Sequence, residues 1–304
     1  MTEFAPIALF VYNRPFHTRQ TVEALQKNGL SSDSNLIIFS DAPKSAAQTK
    51  AVLDVRQYIH QIKGFKSVTI IEQETNLGLA RSIIDGVTKL CNEYGRVIVL
   101  EDDLVVSPYF LNYMNTALDI YQDDEMVMHI SGYMFPIDNT DLPETFFLRT
   151  ASCWGWATWK RAWRHFEKNS KRLLSKFGES TIQRFNMDGS NNFWAQVEQN
   201  EGGLIDTWAI FWYASVFQND GLCLHPRFSM VNNIGLDDTG VHCVKTDVFF
   251  TALASKPVSN YEKNIFESAL ALARTRKFFL AINTPTSSHS MFHRIWAVIK
   301  RRLP

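Results

Sequence analysis

Three consecutive carboxylates, Glu101-Asp102-Asp103, close the apolar run Val97-Ile98-Val99-Leu100. Such a run reads as a buried strand. Like charges gathered where it surfaces are costly to fold unless a cation or hydrogen-bond donors meet them. Carboxylate oxygens suit a hard divalent ion, Mg2+ or Mn2+, which takes one or two such ligands and completes its shell with water and phosphate oxygens. The plainer alternative is a solvated acidic turn ahead of a helix opened by Ser107-Pro108. Polar clusters also end three other apolar runs: Asn13-Arg14-Pro15, Ser40-Asp41, and Glu72 to Asn76. A second chemistry marks the middle of the chain. Seven of the eight tryptophans lie between Trp154 and Trp212, and in Cys153-Trp154-Gly155-Trp156 they flank a glycine. Aromatic faces stack on the C–H faces of sugars, and glycine lets backbone come close to a ligand. Trp154, Gly155 and Trp156 are therefore candidate sugar-binding residues, whereas Trp159 and Trp163, at helical spacing, read as core.

The elements that must position these groups alternate. Ile7–Tyr12, Leu36–Ser40, Ser67–Ile71, Val97–Leu100 and Met126–Ile130 are short, partly β-branched apolar runs. Stretches of helical period lie between them at about 17–28, 45–62, 78–93 and 108–121. Strand–helix alternation predicts an α/β fold, Rossmann-like, with a mostly parallel central sheet flanked by helices. Ligands of such sheets sit at the carboxyl ends of the strands, where all four polar clusters fall. Later segments read as helices at about 156–166, 170–177, 190–200 and 207–219. Strand-like pieces follow at 222–225 and 227–232, a loop over Asn233 to Gly240, and helices at 259–275 and 290–302. With no repeat, low-complexity tract or evident linker, a single domain is expected.

The order of these motifs resembles a known family. A buried strand running into Leu-Glu-Asp-Asp is similar to the metal-binding motif of GT-A-fold glycosyltransferases, most closely N-acetylglucosaminyltransferase I and its bacterial relatives. The opening Phe10 to Pro15 resembles their first strand and nucleotide loop, and Asn76-Leu77-Gly78-Leu79-Ala80-Arg81-Ser82 their N-x-G-x-A element. His225-Pro226 through Gly235, then Gly240-Val241-His242, resembles their C-terminal segment. The likeness covers roughly residues 6–245. It implies a nucleotide-sugar half at about 1–135, an acceptor-side half at about 136–258 and a helical tail at about 259–304. It also implies transfer of a hexosyl or N-acetylhexosaminyl group from a nucleotide-sugar, UDP preferred, to a glycan or lipid-linked acceptor in bacterial surface-polysaccharide synthesis. By position in the family's pattern, Asp103 is the metal ligand, Asp102 faces the ribose or the metal's waters, and Glu101, a catalytic candidate along with Asp206, faces the donor sugar or supporting groups. Asp41 accepts from a uracil imide, or is a turn residue before Pro43. Asn13 and Arg14 line base and phosphates, with a surface role for Arg14 as the alternative. Asn76 caps a helix or meets the nucleotide, and Gly78 and Arg81 approach the phosphates. His242 reaches the metal or diphosphate, or is structural.

An inverting transfer needs a carboxylate to take the proton of the attacking hydroxyl. The family's Trp-Asp-Asp-Trp element, counted back from His225-Pro226, falls near Ala209, which offers none. Asp206 is the nearest candidate, at an expected helix start where simple N-capping is the rival, and Asp237 or Asp238 come next.

Composition narrows the rest. Of 304 residues, 45% are hydrophobic and 22 are Phe, which excludes a disordered chain. Four scattered cysteines, without a C-x-x-C pair, fit a reducing compartment and no structural zinc. No leader-like or spanning apolar stretch is evident, so a cytoplasmic protein is expected. The net charge of zero conceals a division: 24 basic against 31 acidic residues up to Glu267, then seven basic and none acidic. The tail at 290–304 places apolar residues at 292, 295, 296, 299 and 303 beside Arg294 and Lys300-Arg301-Arg302. This is the pattern of a helix lying on the anionic inner face of a membrane, or one packed back on the domain. Nucleic acid is not an expected partner, because the rest of the chain would repel phosphate. Two rival functions remain: a sugar nucleotidyltransferase, although the first strand lacks a Gly-rich triphosphate turn, and a non-enzymatic carbohydrate-binding protein.

Overall fold

The structure is a computed structural model, described over residues 4–238 and 246–284. The first six elements alternate as β1 (Ile7–Val11), α1 (Pro15–Gln26), β2 (Asn35–Ser40), α2 (Thr49–Ile59), β3 (Ser67–Glu72) and α3 (Leu79–Tyr94). Then come β4 (Arg96–Glu101), β5 (Leu104–Val106), α4 (Phe110–Ile120), β6 (Val127–Ser131), β7 (Thr145–Leu148) and β8 (Trp156–Trp159). Helices α5 (Lys160–Trp163), α6 (Ser170–Lys176), α7 (Glu179–Phe185), α8 (Trp194–Glu201) and α9 (Ala209–Gln218) precede β9 (Leu222–Pro226), β10 (Val231–Asn233) and α10 (Ala269–Asn283).

Among the described residues eight strands form one sheet in the order β3-β2-β1-β4-β8-β6-β9-β7, and β10 pairs separately with β5. The run β3-β2-β1-β4 is parallel throughout, and β6 and β9 are again parallel to each other. The strand β8 is inserted antiparallel between β4 and β6, and β7 is antiparallel to β9 at the edge. The sheet is thus mostly parallel and mixed with helices, the fold class the sequence implied. Chain order reverses at β1: β2 and β3 build outward on one side, and β4 returns on the other. That switch point opens a crevice at the carboxyl ends of β1 and β4.

Alternate residues of β1 serve two cores, as strand pleating requires. Ile7, Leu9 and Val11 pack with Val22 and Leu25 of α1, Val55 and Ile59 of α2, and Phe110 to Leu118 of α4. Ala8 and Phe10 face Ile83, Val87 and Leu90 of α3 together with Trp156, Trp163, Trp208 and Trp212.

Two expectations are corrected. The expected helix at 156–166 is strand β8 over Trp156–Trp159 followed by the single turn of α5. Trp156, Trp159 and Trp163 mimic a helical stripe, but a strand buried on both faces shows no polar alternation to betray it. The expected helix at 259–275 begins only at Ala269, capped by the Ser268 hydroxyl. Upstream, Glu267 is held by Arg149, and the Ser268 N–H donates to the Phe147 carbonyl. Residues 259–267 therefore lie along the edge of β7 rather than coiling.

Candidate functional site

Strand β4 delivers Glu101 to the crevice; Asp102 and Asp103 follow before β5 begins. Each is tied to a different neighbour. The Asp102 carboxylate accepts the Tyr12 N–H at 3.2 Å, and its carbonyl accepts the Thr21 hydroxyl at 2.9 Å. The Asp103 carboxylate accepts from Arg14 Nη1 at 2.8 Å, and its carbonyl accepts the Ile234 N–H at 2.9 Å. Burial and the neighbouring Asp103 and Asp102 charges push Glu101 up to about 8. Burial, then Asp103, push Asp102 up to about 7. Asp103 is raised by burial against the opposing pull of Arg14 and His17. One guanidinium does not neutralise three buried carboxyl groups.

Among the described residues no three His, Cys, Asp or Glu side chains converge into a ready-made metal cage. A divalent ion of the Mg2+ or Mn2+ type does not require one, since it binds through one or two carboxylates and completes its shell with water and phosphate. Adjacent carboxyl oxygens in a crevice fit that requirement, and Asp103 would hold the ion with Asp102 beside it.

The second cluster forms between the ends of β2 and β3 and the start of α3. Asp41 is only 8% exposed. Its Oδ1 accepts the N–H groups of Ala42 (2.8 Å) and Leu77 (2.9 Å). Its Oδ2 accepts the Asn76 side-chain amide (2.9 Å) and the Gly78 N–H (2.9 Å). Gly78 has φ +77, a region open to glycine without Cβ strain, where it enters α3. Asn76 also donates to the Ala42 carbonyl at 2.7 Å. Asp41, Asn76 and Gly78, separated by more than thirty positions, therefore form one polar cradle. Both oxygens of Asp41 are committed to holding the 76–78 loop. The Tyr12 hydroxyl donates to Gln48 (2.6 Å) and accepts the Lys44 N–H (2.9 Å), fixing the loop that follows Asp41. Half-buried Asn13 lies between Tyr12 and Arg14 at the end of β1. Arg81 stands on the outer face of α3, 70% exposed and paired with Asp85 one turn on, apart from this cradle.

The tryptophan segment divides. Trp156 lies in the core, stacked on His129 and Trp208, so the sugar-platform reading does not fit it. Gly155 is buried with φ +62, and a Cβ there would stand 2.6 Å from Val231 Cγ2. Its lack of a side chain lets β10 approach the sheet, so its close partner is protein. Trp154 alone is half-buried, its ring edge-on to Tyr133 and Phe249. Two buried histidines hold this segment. His129 accepts the Trp212 indole N–H (3.0 Å) and so carries its proton on Nε2, donated to the Ser152 carbonyl (3.0 Å). His225 donates to the Thr150 carbonyl at 2.9 Å.

Asp206 precedes α9, which descends to the start of β9; it therefore stands at the carboxyl-end side of the sheet, as the acidic cluster does. It is 75% exposed and pairs with Lys168. Asp237 lies against Arg14 and His17, and Asp238 follows it with φ +71. His242 lies outside the described residues, as does the tail from 285.

Sequence reasoning missed His17 and the histidine frame of the tryptophan segment. His17 follows Arg14 by three positions at the start of α1, a spacing that sets two side chains on one face. Nothing local marks His129 or His225.

Comparison with known proteins finds a family likeness over the first half of the chain. No protein of curated function matches the sequence. Similar folds among solved structures include S. aureus TarS (9% identity, TM-score 0.43, 77% of this chain and 37% of that one). Another is the mannosyltransferase PcManGT from Pyrobaculum calidifontis in complex with GDP-Man and Mn2+ (11%, TM-score 0.39, 72% and 70%). A third is a UDP-glucose pyrophosphorylase complexed with UDP-glucose (12%, TM-score 0.37, 74% and 91%). The chain spans well under half the length of the TarS chain. The model of the GNT-I family matches residues 1–146, the stretch that carries β1 through β6 with the acidic motif and the Asp41 cradle, and there this chain resembles that family, as the order of its motifs implied.

Proposed function

We propose that the protein is a glycosyltransferase that moves a sugar from a nucleotide-sugar onto a glycan or lipid-linked acceptor with the help of Mn2+ or Mg2+. The observation that carries the reading is the placement of three buried, charge-strained carboxyl groups in the switch-point crevice beside the Asp41 cradle. The cradle side receives the base and ribose, with Asn13, Asn76 and Gly78 nearest and Asp41 holding the loop that meets them. Arg14 serves the phosphates, a role the outward-facing Arg81 is not placed to share, and Asp103 holds the ion, Asp102 its waters or the ribose. Glu101, driven toward its protonated form, donates to a donor-sugar oxygen. Trp154 remains the aromatic for the acceptor side, and His242 a further contact to the diphosphate.

Transfer is a single displacement. The acceptor hydroxyl attacks the anomeric carbon, its proton passes to Asp206, and the bond to the nucleoside diphosphate breaks with inversion. When bound, the ion offsets the charge that grows on that leaving group. UDP is the preferred nucleotide and bacterial surface polysaccharide the preferred setting, with the basic tail as a peripheral contact to the inner membrane face.

Thermal-shift screening of UDP, GDP and dTDP with and without Mn2+ tests the reading. One nucleotide should stabilise the protein only with metal, and Asp103→Ala should remove the effect while the variant still melts cooperatively. Release of pyrophosphate from a sugar phosphate and nucleoside triphosphate would instead make the protein a nucleotidyltransferase; sugar binding without any nucleotide response would make it a binding protein.

A further inference from the structure

Arg14 makes contacts that phosphate binding does not require. Its Nη1 donates to Asp103 at 2.8 Å, and its Nη2 donates to Asp237 at 3.1 Å and toward the Gly235 carbonyl at 3.4 Å. The Arg14 and Asp103 side chains are only 12% and 14% exposed. From the first turn of α1, His17 faces the same Asp237 at 3.0 Å. The pairing of β10 with β5 sets the Ile234 N–H on the Asp103 carbonyl at 2.9 Å. The loop 234–238 thus hangs from Asp103 twice, by its own backbone and through the guanidinium. A Cβ added to Gly235 would collide with the Asp103 carboxylate and stand 2.7 Å from Arg14 Nη1, so the loop lies directly on that carboxylate.

The carboxylate assigned to an ion is therefore met by a cation of its own chain and covered by its own loop. An incoming divalent ion and the guanidinium repel each other at Asp103, and the first displaces the second. The displaced fork has the geometry that suits two phosphate oxygens. We propose that Arg14 is a latch: it holds loop 234–238 over Asp103 in the empty protein and lets go when a divalent ion takes that carboxylate. The inference rests on the assignment of Asp103 to the metal under the proposed function.

Two variants of the full chain separate the latch from simple charge. Arg14→Gln removes the guanidinium, and Gly235→Ala changes no charge but wedges the loop from Asp103. Both should bind Mn2+ without nucleotide roughly three- to tenfold tighter than the parent by electron paramagnetic resonance, the ordinary size of a partly buried charged contact. Amides 235–238 should exchange faster with deuterium in both variants. In the parent, saturating Mn2+ alone should speed the same amides, a measurement that holds even if a variant fails to fold. Tightening in Arg14→Gln without any in Gly235→Ala is mere loss of a positive charge and overturns the latch. So does unchanged or slower exchange in the parent. If the parent binds no Mn2+ even with UDP, the metal assignment itself falls; if it binds Mn2+–UDP while Gly235→Ala gains nothing, the latch falls alone.

Discussion

Asp41→Asn removes a charge and keeps the shape, which makes it a sharp probe of the 76–78 loop. The carboxylate takes four donors: the N–H groups of Ala42 and Leu77 on one oxygen, and the Asn76 amide and Gly78 N–H on the other. An asparagine can satisfy one pair with its carbonyl oxygen, but its NH2 then faces the other two donors. Two charge-assisted bonds are lost, and two donors near a residue only 8% exposed are left without acceptors. At about 1–2 kcal/mol for each, the loss is about 2–4 kcal/mol. For a chain of this size that is a fall in melting temperature of about 3–6 °C. Urea denaturation should show a lower midpoint at unchanged slope, and nucleotide affinity should fall with it because the loop no longer has one position. Asn76→Ala should cost about 1–2 kcal/mol in the parent and less in the Asp41→Asn background, because of its two bonds the one to Asp41 is shared by both changes while that to the Ala42 carbonyl is not. A turn residue on the surface would shift stability by less than about 0.5 kcal/mol. A loss that small, or strict additivity with Asn76→Ala, contradicts the cradle.

Other expectations concern the acids and the tail. Carboxyl groups titrate near 4 in an unfolded chain, whereas Glu101 and Asp102 are held up to about 8 and about 7. The folded, metal-free protein binds more protons across that window, so its stability should fall as pH rises through it. Mn2+ affinity should rise over the same window with proton release, seen by calorimetry in buffers of different ionisation heat; affinity flat from pH 6 to 8.5 removes these groups from the metal site. Asp206→Asn should keep donor binding and lose about 10²–10⁴ of turnover, and unchanged turnover at saturating donor passes the base role to Asp237 or Asp238. Truncation after Ser288 should abolish sedimentation with anionic vesicles while neutral vesicles bind neither form, and equal recovery in the supernatant leaves the tail a structural element.

The first half of the chain was legible because β1, β2 and β4 are buried on both faces, the more exposed edge strand β3 is a β-branched run, and all four end in polar turns. Ile7–Val11, Asn35–Ser40, Ser67–Glu72 and Arg96–Glu101 fall within a residue or so of the apolar runs that announced them. The tryptophan region was not, because Trp156-Ala157-Thr158-Trp159 is equally apolar to a strand or a helix, and only its place between β4 and β6 decides. Site partners separated widely in sequence were also hidden. Arg14 and Asp237 stand more than two hundred positions apart, and neither has a neighbour in sequence that signals the other. Asp41 shows itself as a carboxylate at a strand end; that the 76–78 loop would consume both of its oxygens is a tertiary fact.

Two segments border the end of β4, and they respond differently to protons. Residues 149–155 are framed by His129 and His225, which burial drives down to about 3 and about 4. Charging His129 would break a donor–acceptor pattern in which its ring must accept from Trp212 while donating to Ser152. Both imidazoles are therefore neutral near pH 7. Loop 234–238 is held instead by Arg14, His17 and Asp237 to a carboxylate whose own charge depends on pH and on any cation present. One segment is thus held through neutral imidazoles and the other through charges, so of the two only loop 234–238 has contacts that an arriving cation would compete with, as the proposed latch requires. Both lie beyond residue 146 and so beyond the stretch that resembles the GNT-I family. Under the proposed transferase reading, what sets this protein apart from that family is therefore to be sought in these two segments rather than in β1 through β4.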